Sequence, residues 1–248
     1  MLKFLFLLTL FISIPIVVAQ STSEKFNEAI SAFHSEQYAQ SNRLFEEFFN
    51  EYKIIDEAYA TAKYYSAESL LKLGRKDEAA IGFEFLSRTY LWSNYRDKAL
   101  YNLGLIYYNS SKYELCRNRL KLLLSDYPES DFFGNSLYWI GESYSAENKP
   151  EEAIQFLEEA VADKRNKKFA DYTIYTLANS YEKIGDYNSA VKYYDQLLTY
   201  HKNSTLATSS QIRIGICYFK LKDYQSSIIE LKSPTLINLS DDMYSESI

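Results

Sequence analysis

The sequence predicts an all-α solenoid of antiparallel helix pairs, about six repeats in all, and three observations point to it. One pattern of apolar residues, Gly and Tyr returns every 37 residues. Within each copy the apolar positions fall three and four apart, the spacing of a helical stripe. Gly74, Gly185 and Pro128 stand where stripes end. The clearest copy is Leu100, Leu103, Gly104, Tyr107, then Tyr113, Cys116, Leu120, Leu123 and Pro128. The next is Leu137, Ile140, Gly141, Tyr144, Ala153, Leu157 and Ala160, and the one after it Ile174, Leu177, Ala178, Tyr181, Tyr187, Ala190, Tyr194 and Leu197. A repeated unit favours one elongated domain over two globular ones.

Taken in chain order, Met1 to Ala19 carry one cation, Lys3, then the apolar run Phe4 to Ile14, Pro15, and Val17, Val18, Ala19. That is the layout of a secretory signal peptide cut after Ala19. The stretch Phe4 to Ala19 has 16 residues, fewer than the ~20 that span a bilayer, and contains Pro15. Cleavage is therefore expected over retention as an anchor. The mature chain is expected to be exported, periplasmic or cell-envelope associated, without stable membrane insertion. Residues 20–57 hold a degenerate first repeat, centred on Phe26 to Phe48. Residues 58–238 hold five repeats in the 37-residue period, and 239–248 are a tail or the start of a further repeat.

In each unit the first helix shows a stripe such as Leu103, Gly104, Tyr107, and the second a stripe such as Cys116, Leu120, Leu123. The column Ala67, Gly104, Gly141, Ala178, Gly215 sacrifices helix propensity, about 1 kcal/mol for each Gly relative to Ala. Close approach of the paired helix is the expected compensation, with the neighbouring Tyr ring filling the gap. Gly74 and Gly185 are expected in the left-handed conformation that ends a first helix. Pro128 stops a second helix, and Pro150 opens one where its missing N–H does no harm. Cys116 and Cys217 lie almost three repeats apart. At ~8–10 Å per helix layer they are too distant for a bridge, so both are expected free and buried.

The ordered run of large apolar residue, Leu, Gly, Tyr, then Tyr, Ala, aromatic and Pro resembles the tetratricopeptide repeat, and Leu100 to Pro128 looks like a near-consensus copy. The resemblance covers almost the whole mature chain and implies a right-handed superhelix. The 37-residue unit, with Asp126, Tyr127, Pro128, Glu129 and Ser130, is similar to repeats of bacterial cell-envelope proteins such as the Tol–Pal accessory factor and the outer-membrane assembly lipoprotein. The sequence departs from both. It has no sustained N-terminal heptads and no Cys after the leader to carry a lipid.

In such arrays the first helices line the concave face, which implies a protein or peptide partner there. The positions on that face are the ladder Tyr64, Tyr101, Tyr138, Tyr175 and Ile212, with Glu68, Leu105, Glu142 and Asn179 beside it, and Tyr108 and Phe219 further along. A ladder Tyr either packs adjacent units or offers a ligand a large rigid face and a hydroxyl. The face lacks the Lys, Arg and Asn set that would grip a terminal carboxylate. An apolar segment with some basic character suits it better.

The formal charge of −6, and −7 once Lys3 leaves with the leader, disfavours nucleic acid. His34 and His201 lie far apart in repeat order, and there is no zinc spacing, phosphate loop or nucleophile elbow. No enzyme, cofactor or metal is expected. The basic run Lys164, Arg165, Lys167, Lys168 reads as a solvated turn after a helix C-terminus, with an anion or partner site as the alternative. The functional expectation is an exported scaffold acting in envelope assembly or maintenance. The alternatives are a structural subunit of a larger envelope complex and the N-terminal part of a longer multidomain protein.

Overall fold

The computed structural model describes residues 23–233, so the leader and the tail 239–248 lie outside the described residues. Among the described residues there are twelve helices and no strand. They are α1 (23–34), α2 (Tyr38–Glu51), α3 (Glu57–Lys72), α4 (Lys76–Thr89), α5 (Arg96–Asn109) and α6 (Tyr113–Asp126). They continue as α7 (Phe133–Ala146), α8 (Pro150–Ala162), α9 (Ala170–Lys183), α10 (Tyr187–Tyr200), α11 (Ala207–Lys220) and α12 (Tyr224–Leu231). Odd-numbered helices are the first of each pair and even-numbered helices the second. One compact unit ends at Ile106 and the other begins at Tyr107, inside α5.

In the first unit α3 packs on both α2 and α4. Its core is aromatic, with Phe45, Phe48 and Phe49 closing over Ala29, Ala32 and Ala62. In the second unit each helix from α6 to α12 packs on the next, and α7 also touches α9. Leu137, Leu157 and Leu177 form one core there, and Ala178, Ala190, Tyr194, Ile214 and Cys217 another. Cys116 and Cys217 are free and fully buried, and burial pushes both thiols up to about 12.

The turn inside each pair repeats as strictly as the helices. Gly74 and Gly185 have φ of +78° and +83°, as their spacing predicts. The same column also places Ser111, Asn148 and Lys222 at φ of 57°, 57° and 64°. Each turn is closed by one backbone bond, from the N–H of Arg75, Lys112, Lys149, Asp186 or Asp223 to the carbonyl of Leu70, Tyr107, Tyr144, Tyr181 or Tyr218, at 2.8–3.0 Å. This six-to-one closure needs a left-handed residue. A non-glycine there carries a strain of about 1–2 kcal/mol.

Helix approach explains the Gly and Ala column, with a different filler from the Tyr expected. A Cβ on Gly141 would lie 2.5 Å from Leu157 Cγ and 3.3 Å from the Ala153 carbonyl oxygen. One on Gly215 would lie 2.6 Å from Leu231 Cγ. The space is therefore taken by a Leu of the second helix. Opposite Ala178 the equivalent residue is the buried Tyr194. In the α3–α4 pair the roles are exchanged: Ala67 faces Gly82, whose added Cβ would meet Ala67 Cβ at 2.8 Å.

Loops between pairs are pinned by charge. Arg165 forks Asp163 (Nη2–Oδ2 2.6 Å), donates to the Pro128 carbonyl at 2.6 Å and lies 4.4 Å over the Phe133 ring. It therefore joins the loop before α7 to the loop before α9, which the solvated-turn reading of this run did not foresee. The fork holds the Asp163 carboxyl below its ordinary range.

Two substitutions should separate these constraints in urea titrations. Gly141→Ala should destabilise by about 1–3 kcal/mol through overpacking, despite better helix propensity. Lys222→Gly should stabilise by about 1 kcal/mol by relieving the left-handed strain.

Candidate protein-binding face

The ladder is built into the contact between successive pairs. In the first unit Tyr64 is 7% exposed and stacks on Tyr95, which stands just before α5, with ring centroids 4.7 Å apart. In the second, Tyr138 is 5% exposed and stacks on Phe169, just before α9, at 5.0 Å. Each ring thus meets the residue 31 positions later, so the 37-residue register becomes a row of aromatic contacts worth about 0.5–1.5 kcal/mol apiece beyond burial. Tyr101 and Ile212 are buried as well, and Tyr175 is half-buried with its ring 5.5 Å from that of Tyr194. Burial, reinforced by Glu68 and Glu142, pushes the Tyr64 and Tyr138 hydroxyls far above the ordinary range.

What the ladder leaves accessible lies one helical step away. A cavity of about 320 Å³ opens between α7 and α9, lined by Tyr138, Glu142, Ser145, Tyr172, Tyr175, Thr176, Asn179 and Leu206. Tyr138, Glu142, Tyr175 and Asn179 of the sequence-derived face therefore come together. Tyr108 joins them by donating from its hydroxyl to Glu142 Oε1 at 3.3 Å, and Thr176 Oγ1 donates to Glu142 Oε2 at 2.8 Å. Burial first, and Glu142 second, raise the Tyr108 hydroxyl above its usual range.

Other positions lie elsewhere. Tyr64, Glu68, Tyr101 and Leu105 belong to the first unit, where the Tyr64 hydroxyl meets Glu68 and Asn102. Phe219, on the last turn of α11, is 57% exposed against Tyr224 and does not line the cavity.

Four contributors escaped the sequence reading: Tyr172, Thr176, Leu206 and Trp139. Tyr172 is half-exposed on the first turn of α9, three and seven residues before Tyr175 and Asn179, so helical spacing could have found it. Trp139 packs between Tyr108 and Phe169, at 4.7 and 5.2 Å. It follows a ladder Tyr directly, and only helix packing brings it to those rings.

The next acid along the face is closed. Glu182 Oε1 lies 2.9 Å from Arg213 Nη2, and Glu182 Oε2 accepts from Arg213 Nε at 2.9 Å and from the Tyr194 hydroxyl at 3.2 Å. A second cavity, of about 250 Å³, lies by the loop before α9 and is bordered by Lys164, Lys167 and His201. Among the described residues no group of three or more His, Cys, Asp or Glu is placed to hold a metal ion, and no helix is long and apolar enough to cross a membrane.

Replacing Tyr138 by Ala should cost about 3–5 kcal/mol, the range for a buried aromatic. Tyr172→Ala should stay within about 0.5 kcal/mol, as expected for an exposed position. Chemical denaturation followed by circular dichroism checks both.

Comparison with known proteins agrees with this geometry. Tetratricopeptide repeat family models match residues 98–130 and 172–204, residues 134–162, and residues 26–84. No curated protein matches the chain in sequence. Among solved structures, a tetratricopeptide repeat protein from Parabacteroides merdae is similar with a TM-score of 0.64 and 14% identity, over 86% of this chain and 78% of that one. PilF of Pseudomonas aeruginosa is similar with a TM-score of 0.63 and 16% identity, over 92% and 97%. MamA of Desulfovibrio magneticus is similar with a TM-score of 0.61 and 16% identity, over 74% and 97%. At these identities the likeness is one of fold.

Proposed function

We propose that this chain, which belongs to the tetratricopeptide repeat family, is an exported scaffold whose first-helix face holds a segment of a partner protein in cell-envelope assembly or maintenance. The observation that carries the binding role is the cavity between α7 and α9, where aromatic, amide and carboxylate groups converge. It offers shape and hydrogen bonding but no nucleophile with a base, which favours a scaffold over an enzyme. The expectation of export rests on the leader layout alone, with Lys3, an apolar run and a small residue at Ala19.

A second reading, a structural subunit of a larger complex, has its own support in the first unit. Ile54 and Ile55 follow α2, Leu91 and Trp92 follow α4, and all four are exposed. Their loops are tied together by Glu57, whose Oε1 accepts from Ser93 Oγ at 3.3 Å and from the Asn94 N–H at 3.1 Å. Exposed large apolar side chains on neighbouring loops suit contact with another protein.

Affinity capture from an envelope extract discriminates the two. A Tyr172→Ser, Asn179→Ala double variant should lose partner recovery by about tenfold with an unchanged melting curve, as a truncated interface anchor does. Recovery that instead falls only when Ile54, Ile55, Leu91 and Trp92 are changed to Ser would favour the subunit reading. Expressed with its leader in a bacterial host, the protein should be recovered from the periplasm beginning at Gln20, as N-terminal sequencing would report; recovery with Met1 retained would contradict cleavage.

A further inference from the structure

We infer that the cavity between α7 and α9 is a seat for an arginine side chain of the bound segment, a reading that rests on the binding role proposed for this face. Of the eight lining residues only Glu142 carries a formal charge at neutral pH. Its carboxylate forms no ion pair among the described residues, and its two partners, the hydroxyls of Tyr108 and Thr176, are neutral. A carboxylate has about four acceptor sites, so both oxygens keep capacity for a further donor. Half-buried without a cation, it lacks the compensation that desolvated charge requires.

The chain itself shows how a first-helix acid, one turn further along its helix, is completed by a guanidinium. In the next pair Glu182, which stands in the repeat column of Ser145 rather than of Glu142, is forked by Arg213 at two 2.9 Å contacts, with the Tyr194 hydroxyl as third partner. Arg213 stands in the same repeat column as Thr176. Both reach back from a first helix to an acid of the preceding one, but the short Thr176 side chain brings a hydroxyl and no charge. Carboxylate and tyrosines are thus present at Glu142, and the guanidinium is missing.

Three tyrosines among the lining residues, Tyr138, Tyr172 and Tyr175, favour arginine over lysine. A guanidinium is planar, stacks on aromatic faces and forks a carboxylate, whereas an ammonium is a compact, strongly hydrated point charge. The half-buried Leu206 at the edge offers apolar contact for the arginine stem or a neighbouring residue.

The test titrates the whole protein with N-acetyl-arginine amide, N-acetyl-lysine amide and N-acetyl-citrulline amide, the last being the neutral isostere of the first. Binding is followed by amide chemical shifts on α7 and α9. The arginine probe should bind roughly tenfold tighter than citrulline, the scale of a charge-assisted fork. Glu142→Gln should erase that difference. Thr176→Arg, which supplies the cation from within the chain, should abolish binding of the arginine probe while preserving the melting curve. Equal affinity for arginine and citrulline overturns the inference, as does a preference that survives Glu142→Gln. Equal affinity for lysine and arginine overturns the guanidinium assignment. If partner capture falls in the Tyr172→Ser, Asn179→Ala variant and is untouched by Glu142→Gln, the arginine seat is overturned while the binding face stands.

Discussion

A large apolar side chain seated on a backbone that has little or no Cβ is the contact from which the other packing in this protein follows. Leu157 rests on Gly141, Leu231 on Gly215, and Ala67 meets Gly82 with the small residues exchanged between helices. Such close approach locks each pair as a unit with few ways to slide, since a well-filled interface tolerates neither a gap nor an extra methyl. It also sets which faces point outward to the next pair. The repeated turn, with its left-handed residue and six-to-one backbone bond, delivers the second helix to that contact each time.

Rigid pairs of constant length turn sequence spacing into spatial spacing. A residue of one pair meets the same neighbour at the same offset in the next, as Tyr64 with Tyr95 and Tyr138 with Phe169 demonstrate. A helix pair cannot bury its own flanks, so these stacked rings carry stability between neighbours. The aromatic ladder is thereby committed mainly to cohesion. The side chains that line the accessible cavity stand a helical step away, Tyr172, Asn179 and Glu142.

Regularity also makes small departures informative. In the column that reaches back to a preceding acid, Thr176 leaves the cavity beside Glu142 open, whereas Arg213 pairs with Glu182, an acid one helical turn further along. The register puts the two first-helix acids in adjacent columns, Glu142 with Asn179 and Glu182 with Ser145, but does not say which of them is paired. Only the neighbour across the helix interface separates a structural ion pair from an open carboxylate.

The helix pairs, their 37-residue register, the left-handed turns at Gly74 and Gly185, the role of Pro150 at a helix start and the buried free state of Cys116 and Cys217 were all legible in the sequence. All of these follow from interactions local in the chain or from a period that can be counted along it. The sequence also placed Tyr138, Glu142, Tyr175 and Asn179 on a common face, because helical spacing is visible in a string of letters. Tertiary structure decided what lies across the gaps. It put Leu157 in place of the expected Tyr against Gly141, bound Arg165 to the loop one repeat earlier, and buried the ladder rings while exposing Tyr172. Those outcomes depend on how far one helix stands from another, a distance set by the packed volumes of side chains remote in sequence.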